Sequence, residues 1–361
     1  MARANRRLLV LPGRPRQRPP RPFLRFLARR FVALVFLGLG ITLVAFVLTN
    51  LVPGDPAAAN LGQRAIEDPE AVAAFRERYG LDKPLPEQYG IYVWRLLHGD
   101  LGESQQARLP VTEELGTFIP ATAELAILSI LIAVVFGVGL GILAAIRQNR
   151  LTDHVLRVVS LTGVSMPTFW IALVALYVFF FRLNWLPGTG RLNPQFSEPV
   201  HHTGFFTIDA MIEGEWATAG DAAKHLVLPA LVLALYNIGL LTRYTRTAVL
   251  EVVNNDYIRA ARAKGIPERR VVLRHVLRAA LPAVITVIGL AFANVMTGAV
   301  LVENIFAWPG IGSYAYRSAT TLDLPAIMGV SLFVAVVYIV VNFVVDVLYG
   351  VIDPRIRVSS R

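Results

Sequence analysis

The residues that could support catalysis, metal binding or phosphate binding are few, and their spacing tells against all three. Six histidines are present, His98, His154, His201, His202, His225 and His275, each in or at the edge of a polar stretch between apolar blocks. Only His201 and His202 are adjacent, and no further ligand follows at a metal-site spacing, so they read as a solvated pair and no bound metal is expected. No Ser/His/Asp set and no His-Glu-x-x-His run supplies a nucleophile or a metal-assisted base. A phosphate-binding Gly-rich loop ends in Gly-Lys followed by Ser or Thr, whereas Lys83, Lys224 and Lys264 are followed by Pro84, His225 and Gly265. The chain is therefore expected to be non-catalytic and to hold no cofactor of its own. If its work consumes ATP, another chain must bind the nucleotide and its Mg2+.

Charges embedded in apolar sequence are the other usual carriers of function. Here they are Glu124, Glu303 and Asp346, with Arg182, Arg243 and Arg246. All fall within about two helical turns of a block end, where long side chains reach water or headgroups. End-of-helix anchoring or packing is the expectation for them. Asp346 stands apart, because Asn342 lies one turn earlier and Asp353-Pro354-Arg355 closes the segment.

The stretch from Asn254 to Pro282 is a charged island between two long apolar segments. Asp256 puts a carboxylate where the first N–H groups of a helix favour one, and Gly265 suits the left-handed position beyond a helix end. Pro267 then suits the first turn of a new helix. A short helix over Asp256 to Gly265 is predicted. Its Ala260, Ala261 and Ala263 keep side-chain bulk low, so that another surface can approach the backbone. The island is expected to be a docking piece.

The elements that must position these residues are membrane spans. Hydrophobic residues make up 55% of the 361 and charged residues 17%, with a mean hydropathy of +0.54. The apolar residues come in blocks rather than in alternation, and six blocks reach the roughly 20 residues a bilayer requires. They are Phe31–Leu51, Ala121–Ile146, Val158–Phe181, Leu226–Ala248, Leu281–Leu301 and Pro325–Tyr349. The expected fold is all-α, a polytopic membrane protein with six transmembrane helices.

Charge placement gives the orientation. The N-terminus, Arg147–Arg157, Val249–Ala280 and the C-terminus together carry 23 Lys/Arg and five acids. The opposite loops carry nine basic and 17 acidic residues. The positive-inside rule puts both termini and the island in the cytoplasm. Basic membrane flanks also account for the net charge of +10, so nucleic acid is not an expected partner, while anionic lipid is. The absence of cysteine excludes disulfides and thiolate metal sites.

Residues 1–22, rich in Arg and Pro, are expected to be a disordered cytoplasmic extension. The apolar run that follows is longer than a signal-peptide core and is taken as a span. Residues 23–120 comprise the first span and a large outer loop. In that loop Asp68-Pro69-Glu70 starts a helix that Gly80 stops, and Pro86-Glu87 opens a second piece. In this second piece Ile91, Tyr92, Trp94 and Leu97 would lie flat on the membrane surface. Two readings stand: a solvated loop anchored on lipid by its aromatics, and a landing surface for a soluble partner. Pro167 is expected to bend the third span, for packing or for a pathway, and Gly137, Gly139 and Gly141 to allow close helix contact. Residues 121–349 form the core, with the island at 250–280, and 350–361 a cytoplasmic tail.

Arg259-Ala260-Ala261, three residues, then Gly265 resembles the EAA loop of ABC-importer permeases, with Arg in place of the leading Glu. Leu281-Pro282 falls about one turn later than in the general motif. Both departures are usual in the dipeptide/oligopeptide/nickel branch, whose first permease subunit type this chain resembles. Further blocks carry the likeness in order: Val52-Pro53-Gly54-Asp55-Pro56, Arg78-Tyr79-Gly80-Leu81-Asp82, Gly99-Asp100-Leu101-Gly102, His225–Ala230, Glu303-Asn304-Ile305-Phe306-Ala307-Trp308-Pro309-Gly310-Ile311-Gly312, Asp323-Leu324-Pro325 and Asp353-Pro354-Arg355. Residues 1–21 and Asn193–Gly220 fit less well, the latter as an over-long loop.

The resemblance implies a type I ABC-importer membrane subunit in a bacterial or archaeal inner membrane. Its implied partners are a second permease subunit in a heterodimer, two ATP-binding subunits or domains and an extracytoplasmic substrate-binding protein. The island would be the coupling helix that sits on an ATPase subunit, with Asp256, Tyr257, Arg259, Ala260, Ala261, Arg262, Ala263, Lys264 and Gly265 as contact residues. Arg259, Arg262 and Lys264 could then pair with acids on that partner. Asp55, Pro167, Glu303, Phe306, Trp308, Pro309, Gly310, Asp323, Asn342 and Asp346 would serve a pathway or packing. Short peptides are the expected cargo; nickel, glutathione or sugars are alternatives within the branch. An ion-coupled carrier is the reading outside it, although no acid is evident at mid-depth and no internal symmetry is clear.

Overall fold

The computed structural model describes residues 22–51 and 69–352. The N-terminal extension, Asp55 and the tail from Asp353 lie outside the described residues. All regular structure within them is helical, apart from one isolated antiparallel bridge between Glu103 and Pro110. In chain order the helices are α1 Pro22–Leu51, α2 Pro69–Tyr79, α3 Leu85–Leu97, α4 Val111–Ile146, α5 Leu151–Ser165, α6 Thr168–Arg182 and α7 Phe206–Ile212. They continue as α8 Trp216–Val253, α9 Asp256–Ala263, α10 Glu268–Met296, α11 Val300–Ile305, α12 Ile311–Thr320 and α13 Leu324–Ile352.

Four of these, α4, α8, α10 and α13 up to Tyr349, are long and apolar enough to cross a bilayer, and α5 with α6 forms a bent pair. Helix α1 covers the first expected span. The helices overrun the apolar blocks at polar ends. Thus α4 begins at Val111 rather than Ala121, α8 at Trp216 rather than Leu226, and α10 at Glu268 rather than Leu281. Backbone hydrogen bonding propagates past the hydrophobic boundary wherever no breaker stands, and Pro120, Pro229 and Pro282 are absorbed within their helices.

The third expected span is not one continuous helix. Helices α5 and α6 meet at 96°. The cause is local: proline disfavours the helical region for its predecessor, and Met166 is extended at ψ 132°. Pro167 follows at ψ 129°, so two extended residues in succession redirect the chain.

Helix α8 is the hub, with two thirds of its apolar window buried. Glycines on its neighbours let it approach closely. A Cβ on Gly137 of α4 would lie 2.7 Å from Leu241 Cβ, and one on Gly141 2.7 Å from Thr245 Cβ. On the other side Gly239 of α8 meets the Ser160 carbonyl of α5. Gly139, expected to share this role, has open space around it. A mixed core of Leu125, Ile130, Leu228, Val232, Met296, Phe306 and Trp308 joins α4, α8, the end of α10 and the α11–α12 corner.

The outer loop follows its predicted punctuation. Helix α2 ends at Gly80 with φ +64°. Helix α3 is turned by its tyrosines onto α1, with the Tyr89 hydroxyl donating to the Leu39 carbonyl at 2.9 Å and both tyrosine rings against Phe46. Trp94 and Leu97 are left exposed.

Candidate functional site

Two clusters contain most of the residues singled out from the sequence. The first is the island. Helix α8 stops at Val253, Asn255 is extended, and α9 runs from Asp256 to Ala263. Its C-terminus is closed by paired bonds: Gly265 N–H to the Arg262 carbonyl at 2.9 Å and Ile266 N–H to the Ala261 carbonyl at 3.4 Å. Gly265 supplies the left-handed residue at φ +73° that this Schellman arrangement needs. Ile266 packs back with Ile258 and Ala261, which completes the cap with an apolar contact.

That contact orients the helix. Ile258 and Ala261 are buried among Ala145, Ala248, Val249, Val271 and Val276 at the inner ends of α4, α8 and α10. Asp256, Tyr257, Arg259, Ala260, Arg262, Ala263, Lys264 and Gly265 face outward. Ala261 is therefore removed from the docking face. At helical spacing it falls three residues after Ile258, on the side that the protein itself covers. Two of the three cations are also engaged within the chain. Arg259 pairs with Asp256, and Arg262 spans the Gly265–Pro267 corner to Glu268 with bonds of 2.7 and 3.0 Å. Both pairs are solvent-exposed and contribute little on their own.

One inner-side residue escaped the sequence reading. Asp153 is fully buried at the start of α5 and receives Arg246 of α8 through bonds of 2.7 and 3.0 Å, the Asn149 N–H at 3.0 Å, and Arg157 at 3.5 Å. Arg246 is thus an interhelical strut about two turns from the island, the packing alternative of the two expected for it. The signal was present: an acid in a basic flank, with an arginine on the segment that must pack beside it.

The second cluster is the run Glu303–Gly312, which packs rather than lines an opening. Glu303 is fully buried and accepts from Thr122 Oγ1 at 2.9 Å and from the Ser313 N–H at 2.8 Å. Thr122 in turn accepts the Ile311 N–H at 2.8 Å. Trp308 and Phe306 are buried, with the indole N–H donating to the Ala121 carbonyl and the Phe306 carbonyl accepting from Gly190. Ala307 turns the chain at φ +47°. Gly310 must be glycine, since a Cβ there would run into Thr122 and the Glu303 carboxylate. Pro309 is exposed beside it, and Pro167 is exposed at the α5–α6 corner.

Glu124 and Glu303 were expected to anchor helix ends or to pack; both pack, enclosed by partners. Glu124 holds Arg191 at 2.6 Å and accepts the N–H and hydroxyl of Thr207. Arg191 lies 3.5 Å above the Phe206 ring. The over-long loop around Asn193–Gly220 is therefore clamped onto α4. Asp209 reinforces it by accepting from Thr203 and Gly204. Burial alone would raise the Asp209 pKa, but these hydrogen bonds outweigh it and hold the carboxyl below its ordinary range. Asp323 caps α13 through the Ala326 N–H and draws in Ser104 at 2.6 Å from the outer loop. His225, expected at a span boundary, is buried inside α8 with its Nδ1 against the Asp221 carbonyl. Among the described residues no group of three His, Asp or Glu side chains is placed to hold a metal.

Residues 137–358 match the family described as binding-protein-dependent transport system inner membrane component, and residues 23–126 match its N-terminal membrane component. The chain belongs to this family. It is a multi-pass inner-membrane component of a binding-protein-dependent transport system. It is 45% identical to the probable D,D-dipeptide transport system permease protein DdpB of Escherichia coli K12, over 92% of this chain and 98% of that protein. It is likewise 45% identical to the di/tripeptide transport system permease protein DppB of Pseudomonas aeruginosa UCBPP-PA14, over 92% and 99%. To the dipeptide permease DppB of E. coli K12 the identity is 40%, over 92% and 99%. A looser likeness, TM-score 0.46 at 16% identity over 66% of this chain and 96% of the other, is to a chain of the inward-facing MetNI methionine ABC transporter.

Proposed function

We propose that this chain is the translocating subunit of an ATP-driven importer for short peptides, with α9 as the piece that receives force from an ATPase subunit. The observation that carries the coupling role is the orientation of α9. It hangs between the inner ends of α8 and α10, anchored by Ile258 and Ala261, and presents Tyr257, Arg259, Ala260, Arg262, Ala263 and Lys264 outward. The cap at Gly265 and the buried contacts of Ile258 and Ala261 with Val271 and Val276 would carry displacement of α9 to α10. Because the chain lacks a phosphate-binding loop, ATP and Mg2+ belong to two partner ATP-binding subunits. The family's description calls for a binding protein, and a second permease subunit completes the passage. The peptide cargo rests on relatives at 40–45% identity whose names give dipeptide, di/tripeptide or D,D-dipeptide transport.

The chain has no cysteine, so single cysteines report contacts cleanly. Ala260→Cys and Ala263→Cys should each crosslink to an ATPase subunit in native membranes, whereas Ala261→Cys, buried against the chain's own helices, should not. Capture through Ala261→Cys in preference to the other two would show that α9 docks by a different face. Failure of all three would remove the coupling role.

A further inference from the structure

Helix α13 carries two stripes of opposite character, an apolar one that is exposed and a polar one that is exposed at Ser331 and Asn342 and half-buried at Tyr338, Asp346 and Tyr349. Val336, Val340, Val344, Leu348 and Val351 recur at three- and four-residue intervals and are all exposed, as expected of a lipid-facing side. At about 100° per residue, Ser331, Tyr338, Asn342, Asp346 and Tyr349 gather on the roughly opposite side of the same helix. Tyr338 stands at the middle of this 29-residue element and Asn342 one turn further along, so the polar stripe runs through the span and not only along its end, with Asn294 beside it in the last turn of α10. Asn342 is exposed, and its amide makes no hydrogen bond among the described residues. Tyr338 donates its hydroxyl to Asn294 Oδ1 of α10 at 2.6 Å. Asn294 is exposed too, and its amide N–H groups donate to nothing among the described residues. Just inward, α10 and α13 close on each other where Gly289 meets Val341 and Val345, so the stripe is held in place and does not depend on a loose side chain.

Primary amides with open hydrogen-bonding capacity do not face hydrocarbon at mid-depth without a large cost; in membrane proteins they face a water-filled cavity or another polar surface. The apolar stripe already gives α13 its lipid side. We propose that Asn294, Tyr338 and Asn342 line a water-filled passage and exchange hydrogen bonds with the backbone amides of a peptide in transit. An extended peptide presents alternating N–H and C=O groups that need partners once stripped of water. An amide side chain supplies both a donor and an acceptor, and none of the three carries a charge that would trap one end of the cargo. The peptide part of this assignment rests on the proposed function; the passage part does not.

The assembled transporter in membrane vesicles, carrying Asn342→Cys in the otherwise cysteine-free chain, is treated with a charged, membrane-impermeant thiol reagent with and without ATP. Val340→Cys and Val344→Cys on the apolar stripe are the controls. Asn342→Cys should react on the order of tenfold or more faster than either control in at least one nucleotide state, because the reactive thiolate forms in water. Reaction no faster than the controls in both states means that the stripe is sealed by lipid or by a neighbouring subunit, and overturns the passage. A dipeptide delivered by the binding protein should slow the modification. Fast modification that dipeptide leaves unchanged overturns the peptide contact while the passage stands. Asn342→Leu should lower peptide uptake several-fold with ATPase subunits still co-purifying, whereas unchanged uptake counts against the contact.

Discussion

At the scale of single residues, the buried ion pairs decide most. Arg191 and Glu124 are almost completely enclosed, so each depends on the other: removing the cation leaves a carboxylate that only Thr207 solvates. Breaking such a pair from one side costs about 3–5 kcal/mol. Arg191→Met should therefore lower the thermal stability of the detergent-solubilised protein and free the loop around Phe206 for proteolysis. Thermal unfolding and limited digestion measure both, and an unchanged midpoint would mean that the clamp is redundant. Asp209 gives a pH dependence with a definite sign. Its folded pKa is depressed, so its contribution is fully present above the ordinary aspartate value and is lost as pH falls through the lowered one. Protection of the Thr203 and Gly204 amides, taken relative to the intrinsic exchange rate at each pH, should fall on acidification below about pH 4, the unperturbed aspartate range. In Asp209→Asn the same amides should exchange faster already at neutral pH.

At the scale of elements, what the sequence made legible was punctuation, and what it hid was partnership. Gly80, Gly265 and Pro267 mark helix boundaries because their backbone preferences act locally; the structure uses the two glycines as read, while Pro267 stands one position before the first turn, as the N-cap of α10. The 96° corner at Pro167 was underestimated, since the expected bend became a break: Met166 and Pro167 are both extended, and two such residues in succession redirect the chain. The inward turn of Ala261 and the burial of Glu124, Glu303 and Asp153 depend on residues far along the chain, and no spacing within the island reveals them. The cap of α9 offers a test at this scale. Gly265 has no neighbour within 4 Å of a prospective Cβ, so only its left-handed backbone restricts what may replace it. Gly265→Asn should be tolerated, because asparagine visits that region, whereas Gly265→Val should strain the cap by roughly 1–2 kcal/mol or more. Uptake should survive the first substitution and fall in the second, with membrane insertion unchanged in both. Equal activity of the two variants would mean that the cap geometry does not transmit force.

At the scale of the whole molecule, the two ends are built differently. The outer end is fastened by buried polar contacts across distant segments: Glu303 to Thr122, Asp323 to Ser104, Arg191 to Glu124. Among the described residues the opposite end carries the buried strut Asp153–Arg246, and beyond it an exposed helix with surface ion pairs. A lever that is moved from outside the chain belongs at the less fastened end. The positive-inside rule is the ground for proposing that this end is cytoplasmic, with 23 Lys/Arg against five acids on its side and nine against 17 on the other. The assignment has a direct test in intact cells with an impermeant thiol reagent. His202→Cys, on the half-exposed face of the outer loop, should react from outside, while Ala260→Cys, exposed on α9, should react only after the membrane is opened. The inverse pattern would reverse the orientation, and with it the compartment of every partner that α9 can meet. Both positions are exposed at the surface of this chain, and the comparison is made in cells that lack the ATPase subunits, so a difference between them measures the compartment each one faces and not cover by a docked partner.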